Sequence, residues 1–163
     1  AAGAGIEVAN GIVVDERCRT SAPDVYAAGD VANHPNPILG RRIRVEHWQN
    51  AQHQATAAAR NMVGRDEPFV EVPWVWSDQY DLNLQVAGLP SPDDELVFRG
   101  DVEARSFTAL CLRDGALVAA VGVNRADDVH AARRLIQAGA RPDPHVLGDA
   151  DVPLDGLAAG ASA

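Results

Sequence analysis

Three runs in this sequence combine residue types that suit a ligand better than a core. The first is Thr20-Ser21-Ala22-Pro23-Asp24-Val25-Tyr26-Ala27-Ala28-Gly29-Asp30, which reads as a polar turn, a short buried strand, then Gly29 and Asp30. A glycine at the carboxyl end of a strand lets a ligand lie almost on the backbone. The carboxylate after it can accept hydrogen bonds from the hydroxyls of a sugar or ribityl chain. For a lone Gly-Asp pair, an ordinary turn is the plain alternative. The second run, Glu46-His47-Trp48-Gln49-Asn50-Ala51, opens the clearest helix of the chain. Helix N-termini offer unpaired N–H groups and partial positive charge, which suit an electron-rich acceptor such as the N1–C2=O edge of a flavin made anionic by reduction. Otherwise Glu46 only complements the helix dipole and Trp48 only packs in the core. The third run, Pro73-Trp74-Val75-Trp76-Ser77-Asp78-Gln79, sets two indoles at alternate positions of an extended segment. Both then point the same way and can stack on, or shield, a planar aromatic cofactor, although packing at a domain interface would use the same pair.

Arg41, Arg42 and Arg44 form a local basic cluster, read either as a solvated loop or edge strand or as a docking spot for an anion or a protein. Other candidates are weaker. His47 and His53 are not spaced to point at one metal, His34, His130 and His145 have no neighbours of the right type, and no metal site is expected. Asp93, Asp94 and Glu95 read as a solvated turn, and Asp127 and Asp128 suit the first turn of a helix. Cys18 and Cys111 stand far apart with no CxxC pair, so redox chemistry here must come from a bound cofactor. No serine or cysteine has a recognisable base, which argues against nucleophilic catalysis.

The elements that must position these groups follow from pattern. Gly11 to Asp15 and Val25 to Ala28 read as short strands, Asn33 to Gly40 as a loop, and Ile43 to Val45 as a brief extended piece. Glu46 to Val63 reads as a helix with a small-residue face at Ala51, Ala55, Ala58 and Met62, Arg60 near its negative end and Gly64 as its stop. The run from Arg65 to Pro73 reads as a linker, which divides the chain into 1–67 and 68–163. Beyond it, Leu82 to Ala87, Glu95 to Arg99, Ser106 to Leu112 and Ala116 to Val123 read as strands of a small antiparallel sheet, the last two joined by a tight hairpin at Arg113, Asp114 and Gly115. Asp127 to Ala138 reads as a helix with Val129, Ala132, Leu135 and Ile136 inward. A Pro-rich crossing from Pro142 to His145 leads to a last short helix starting at Pro153 and a small-residue tail from Ala158 to Ala163.

A chain of 163 residues with 47% apolar residues can bury a core and fold as a globule. Acidic residues outnumber basic ones, 23 to 14, so the overall field repels nucleic acid and anionic membrane. No run approaches the roughly 18 apolar residues of a membrane span, and Ala1 to Gly5 lacks the build of a signal peptide, so a cytoplasmic location is expected.

All three runs together resemble one family: the FAD-dependent ferredoxin and rubredoxin reductases of the pyridine nucleotide-disulfide oxidoreductase superfamily, of the putidaredoxin reductase and biphenyl-dioxygenase ferredoxin reductase type. The first run resembles the last flavin-binding motif of these enzymes, the second their next flavin contact, and the third the start of their small C-terminal domain. Leu84 to Gly88, Val121 to Asn124 and Leu147 to Asp149 continue the likeness. The resemblance implies an α/β fold, the C-terminal fragment of a dinucleotide-binding FAD domain over 1–67, and a small α+β domain with an antiparallel sheet and flanking helices over 68–163. It implies FAD contacts at Gly29, Asp30, Glu46, His47, Trp48, Ala51 and Trp76, with Trp74 next in line for the role of Trp76 beside the flavin. NAD(P)H would be the co-substrate and a [2Fe-2S] ferredoxin or rubredoxin serving an oxygenase the electron acceptor, met through Arg41, Arg42 and Arg44. The family's Gly-x-Gly-x-x-Gly turns for FAD and NAD(P)H have no counterpart, because Ala2-Gly3-Ala4-Gly5 follows no strand. The chain thus resembles the last third of such an enzyme, short of its N-terminal FAD and NAD domains and not expected to be active alone. A non-catalytic module for assembly or partner docking is the other reading. A disulfide reductase of the superfamily is disfavoured, since neither a cysteine redox pair nor a His-Pro-Thr run is present.

Overall fold

The chain folds as two units, Ala1–Glu71 and Val72–Ala163, each built around its own sheet. The structure, a computed structural model, describes residues 1–160, with side chains as far as Leu157; the expected small-residue tail from Ala158 lies, from 161 on, outside the described residues.

In the first unit, β1 (Ile12–Val13) runs parallel to β2 (Ala32–Asn36), which pairs antiparallel with β3 (Arg41–Ile43). β2 lies where a loop is expected over Asn33 to Gly40. Its Pro35 is tolerated because β1 stops opposite Asn33, so no strand on that side needs an N–H from residue 35. The chain reverses only at Pro37 to Gly40, where Gly40 takes φ +63°. The strand expected over Val25 to Ala28 reduces to a single bridge, Tyr26 to Arg19, and Val25 is 39% exposed. Ahead of β1, Ala2–Ala4 is one 3-10 turn, not the strand, turn and helix of a phosphate cradle.

The helix α1 (Trp48–Met62) starts two residues later than expected, with His47 as its N-cap. Its inward stripe is Gln54, Ala58 and Asn61, while Ala55 and Met62 face solvent. A hydrophobicity reading overlooks this stripe because two of its members are polar and buried through hydrogen bonds. Gln54 accepts from the N–H of Gly29; Asn61 donates to the carbonyls of Arg17 and Glu67 and accepts from the N–H of Glu67. Gly64, at φ +85°, ends the helix in the left-handed conformation that glycine adopts without strain. Cys18, Ala58 and Phe69 form one small core and Val14, Ala27 and Ala32 another.

The second unit is an antiparallel sheet in the order β4 (Trp74–Gln79), β5 (Leu82–Gly88), β8 (Ala116–Val123), β7 (Ser106–Arg113), β6 (Glu95–Asp101). The β7–β8 hairpin closes on Asp114 and Gly115, both at positive φ, as the tight two-residue turn requires. On one face lies α2 (Ala126–Gln137), with Val129, Ala131, Ala132, Leu135 and Ile136 buried; burying Leu135 or Ile136 contributes roughly 1.5–3 kcal/mol each. Val129 reaches the sheet because Gly122 has no side chain: a Cβ there would stand 2.5 Å from the Val129 Cγ2. Where a Pro-rich crossing is expected, Pro144–Gly148 forms a short helix, α3, with Pro144 in its first turn and the Asp143 carboxylate accepting from the His145 N–H. A 3-10 segment, Leu154–Gly160, stands in place of the last helix.

Two polar clusters brace this unit. Asp94, expected in a solvated turn with Asp93 and Glu95, is instead 7% exposed and takes a two-pronged bond from the Arg113 guanidinium, at 2.8 and 3.0 Å. Arg99, 3% exposed, donates to the carbonyls of Leu147, Asp149, Ala150 and Val152 and lies 3.3 Å from the Asp128 carboxylate. Asp128 therefore does more than complement the dipole of α2; it also pairs with Arg125.

Candidate functional site

Gly29 leaves the extended backbone of Ala28 at φ +77° and begins a single 3-10 turn, Gly29–Val31. The first turns of α1 press against it. A Cβ on Gly29 would stand 3.2 Å from that of Ala51, so only glycine fits both the conformation and the space. The Gly29 N–H donates to the Gln54 Oε1 at 2.8 Å. Asp30 follows with its side chain exposed, and its main-chain carbonyl accepts from the Arg44 Nη1 at 2.8 Å. Arg44 also pairs with Glu46. To get there its stem crosses Gly11, at φ +112°, where a Cβ would stand 2.8 Å from the Arg44 Cδ.

The start of α1 carries no capping side chain: His47 is extended at φ −130°, ψ 141° and makes no side-chain bond to the helix. The first intrahelical bond runs from the Ala51 N–H to the His47 carbonyl, which leaves the N–H groups of Trp48, Gln49 and Asn50 available to an acceptor. Burial holds the His47 imidazole below its ordinary range, against the opposing pull of Asp30 and Glu46, and its Nδ1 is buried without a partner. Trp48 is 72% exposed and so is not a core residue. Gly29, Asp30, Glu46, His47, Trp48 and Ala51 therefore belong to one neighbourhood of the first unit, a turn clamped against the uncapped start of a helix.

In the second unit the register of β4 on β5, with Trp74 opposite Ala87 and Trp76 opposite Gln85, puts both indoles on one face. They stack with centroids 5.0 Å apart and planes at 27°. The Trp74 Nε1 donates to the Gln85 Oε1 at 3.1 Å, and Gln85 and Asn83 carry the chain of hydrogen bonds on to Asp78. From α2, His130 lies 5.3 Å from the Trp74 ring and the Arg133 guanidinium 5.9 Å, a cation held against an indole face. Trp74 is thus the held member of the pair, while Trp76, 43% exposed, presents its ring outward.

The three arginines differ. Arg42 donates to the carbonyls of Val14 and Asn33, and Arg44 is bound as described. Arg41 is exposed and borders, with Pro35, Pro37, Pro68 and Val70, a hollow of about 590 Å³. His53 faces the Glu71 carboxylate at 2.9 Å, and His34 is buried edge-on to Phe69. No group of three or more metal-ligating side chains occurs among the described residues. Burial pushes the Cys18 thiol up to about 11, with Asp15 adding to the effect, and that of Cys111 likewise to about 11, with Asp94 raising and Arg113 lowering it. Both stay protonated and inert near neutral pH. Sequence reasoning did not single out Gln54, Gly11, Gln85 or His130, whose roles depend on docking between elements. The alternate placing of Trp74 and Trp76 on β4 was the one available signal.

A family model described as reductase C-terminal matches residues 74–158, and one described as pyridine nucleotide-disulphide oxidoreductase matches residues 1–55. The ferredoxin–NAD(+) reductase component of the anthranilate 1,2-dioxygenase system of Burkholderia cepacia is 51% identical over 152 residues, which cover 93% of this chain and 37% of that protein. Among solved structures, the ferredoxin reductase for the CYP199A2 system from Rhodopseudomonas palustris superposes with a TM-score of 0.87 at 38% identity, over 99% of this chain and 39% of that one. The reductase–putidaredoxin covalent complex of putidaredoxin reductase gives 0.89 at 34% identity, over 98% and 38%. The chain spans less than two fifths of the length of each of these relatives, at 37%, 39% and 38%.

Proposed function

The chain belongs to the reductase C-terminal family, and from that premise we propose that it is the carboxy-terminal part of an FAD-dependent NAD(P)H:ferredoxin or rubredoxin reductase that feeds an iron–sulfur protein serving an oxygenase. In this reading 1–67 closes the FAD-binding domain and 68–163 is the C-terminal domain. The observation that carries it is the Gly29–Asp30 turn held against the uncapped start of α1.

The residues present fit FAD. Gly29 lets the turn close against Ala51 of α1, an exposed carboxylate follows it, and the helix start presents unpaired N–H groups. FAD held there would supply the redox chemistry, two-electron uptake from NAD(P)H and one-electron release to an iron–sulfur partner. Asp30 accepts hydrogen bonds from the ribityl hydroxyls, the main chain from Glu46 to Trp48 places partial positive charge at the edge of the ring system, and Ala51 lets the cofactor's segment and the helix approach closely. In the second unit Trp76 presents an indole suited to stacking on a planar ring, and Trp74, fixed by Gln85, His130 and Arg133, holds Trp76 in place. Arg41 meets an acidic partner directly, while Arg42 and Arg44 add to the field that steers it. In this reading the whole reductase works in the cytoplasm. No helix among the described residues is long and apolar enough to cross a membrane.

Purification of the full-length chain that carries these residues tests the reading. Stoichiometric FAD, seen by its visible absorbance and lost in Asp30→Ala, is expected. A full-length protein that is colourless and takes up no added FAD would return the chain to the docking-module reading. The 163-residue piece alone is expected to show no NAD(P)H oxidation, because the elements that hold the FAD pyrophosphate and adenine are not in it.

A further inference from the structure

Asp30 is fixed from both sides by side chains that do not belong to its turn. Ahead of it, the peptide N–H of Gly29 is bound by the Gln54 Oε1; behind it, the carbonyl of Asp30 is bound by the Arg44 Nη1, each at 2.8 Å. We propose that Gln54 and Arg44 are positioning residues which preset the Gly29–Asp30 turn for the polyhydroxyl chain of FAD, an inference that rests on the flavin reading above.

Gln54 is a costly choice on stability grounds alone. It is 0% exposed, and its Nε2 is buried without a partner. An apolar residue of the same length would fill the space and spare the orphaned nitrogen. What it would lose is the bond to Gly29, whose N–H would then be buried without an acceptor. Since only the amide oxygen can accept that N–H, the bond also fixes how the amide is turned. Arg44 is constrained as tightly by other means. Its stem lies across Gly11, where a Cβ would meet the Val31 carbonyl oxygen at 2.6 Å and the Arg44 Cδ at 2.8 Å, and Glu46 pairs with its head. The two halves differ in character, one neutral and sealed from water, the other ionic and open to it. With the peptide before Gly29 and the peptide after Asp30 both held, the turn that carries the Asp30 carboxylate is set before any ligand arrives, and the ordering cost of binding falls accordingly.

The test is FAD titration of the full-length apoprotein. Gln54→Met should weaken FAD binding about tenfold to hundredfold, independently of salt. Arg44→Met should weaken it by about three- to tenfold; Arg44→Lys should restore most of that, and raised ionic strength should reproduce part of it in the parent protein but not in Arg44→Met. The visible spectrum of the bound flavin should shift in the Gln54 variant, which a loss of global stability alone would not cause. Asp30→Ala separates the two ideas. If it leaves FAD affinity unchanged, the flavin reading itself fails. If it weakens FAD while Gln54→Met and Arg44→Met do not, the reading stands and the clamp is refuted. Should Gln54→Met not fold, the Arg44 pair and its salt dependence decide: loss with lysine rescue supports the clamp, and no loss overturns it.

Discussion

The turn at Gly29 and the tryptophan strip of β4 each hold out an exposed group, the Asp30 carboxylate and the Trp76 indole, by opposite means. The turn is made of small residues and main-chain polar groups, held by side chains from elsewhere: Gln54 from α1, Arg44 from beyond β3. The strip consists of large side chains held by sheet register, with Trp74 bonded to the strand beside it and covered by His130 and Arg133. A site built from backbone tolerates no added atom at its centre, because a single methyl meets Ala51 at 3.2 Å. A site built on a sheet tolerates changes at the ring but depends on the whole sheet staying together. Four substitutions break or sharpen that contrast.

The largest effect is expected at Arg99→Ala, on β6, the edge of the sheet opposite β4. It frees the carbonyls of the segment from Leu147 to Val152 and leaves Asp128 with Arg125 and the Thr108 hydroxyl, and should cost the second unit about 3–5 kcal/mol in denaturant unfolding. The first unit, followed by its own probe, should hold. Next comes Gly29→Ala, which imposes strain at φ +77° as well as the contact with Ala51, and should cost the first unit about 1–3 kcal/mol and its ligand site altogether. If it proved neutral in both respects, the backbone-built description of the turn would be wrong. Trp74→Phe removes the donor to Gln85 and weakens the contact with Arg133, for roughly 1 kcal/mol by thermal unfolding, with Trp76 left to face the ligand. Trp48→Ala should be smallest in stability, within about 0.5 kcal/mol for a residue 72% exposed, and is informative for that reason. A large stability loss there would mean that Trp48 packs as a core residue after all.

The same contrast explains what the sequence made legible. Period-two patterning and a turn dipeptide at Asp114 and Gly115 specify the second unit well, because strand burial and hairpin chemistry are local. The tryptophans could be placed on one face from their spacing alone. In the first unit Gly29 and Asp30 stand out as turn residues, but the groups that hold them do not. Gln54 looks like a surface residue of a helix until Gly29 docks on it, and Arg44 looks like one of three loose cations until Gly11 is seen to let it by. Pro35 hid a strand because prolines and a glycine read as loop, and only the short reach of β1 makes that strand possible. Asp94 hid an ion pair because it sits in the bend before β6 and its partner, Arg113, at the end of β7. These are long-range pairings of polar residues, which carry no periodic signal.

The most direct measurement is a crystal structure of the full-length protein with FAD bound. The account predicts the Asp30 carboxylate within hydrogen-bonding distance of the ribityl hydroxyls and the opening N–H groups of α1 at the pyrimidine edge of the flavin. A flavin touching only one of these two, or seated elsewhere in the chain, would contradict it.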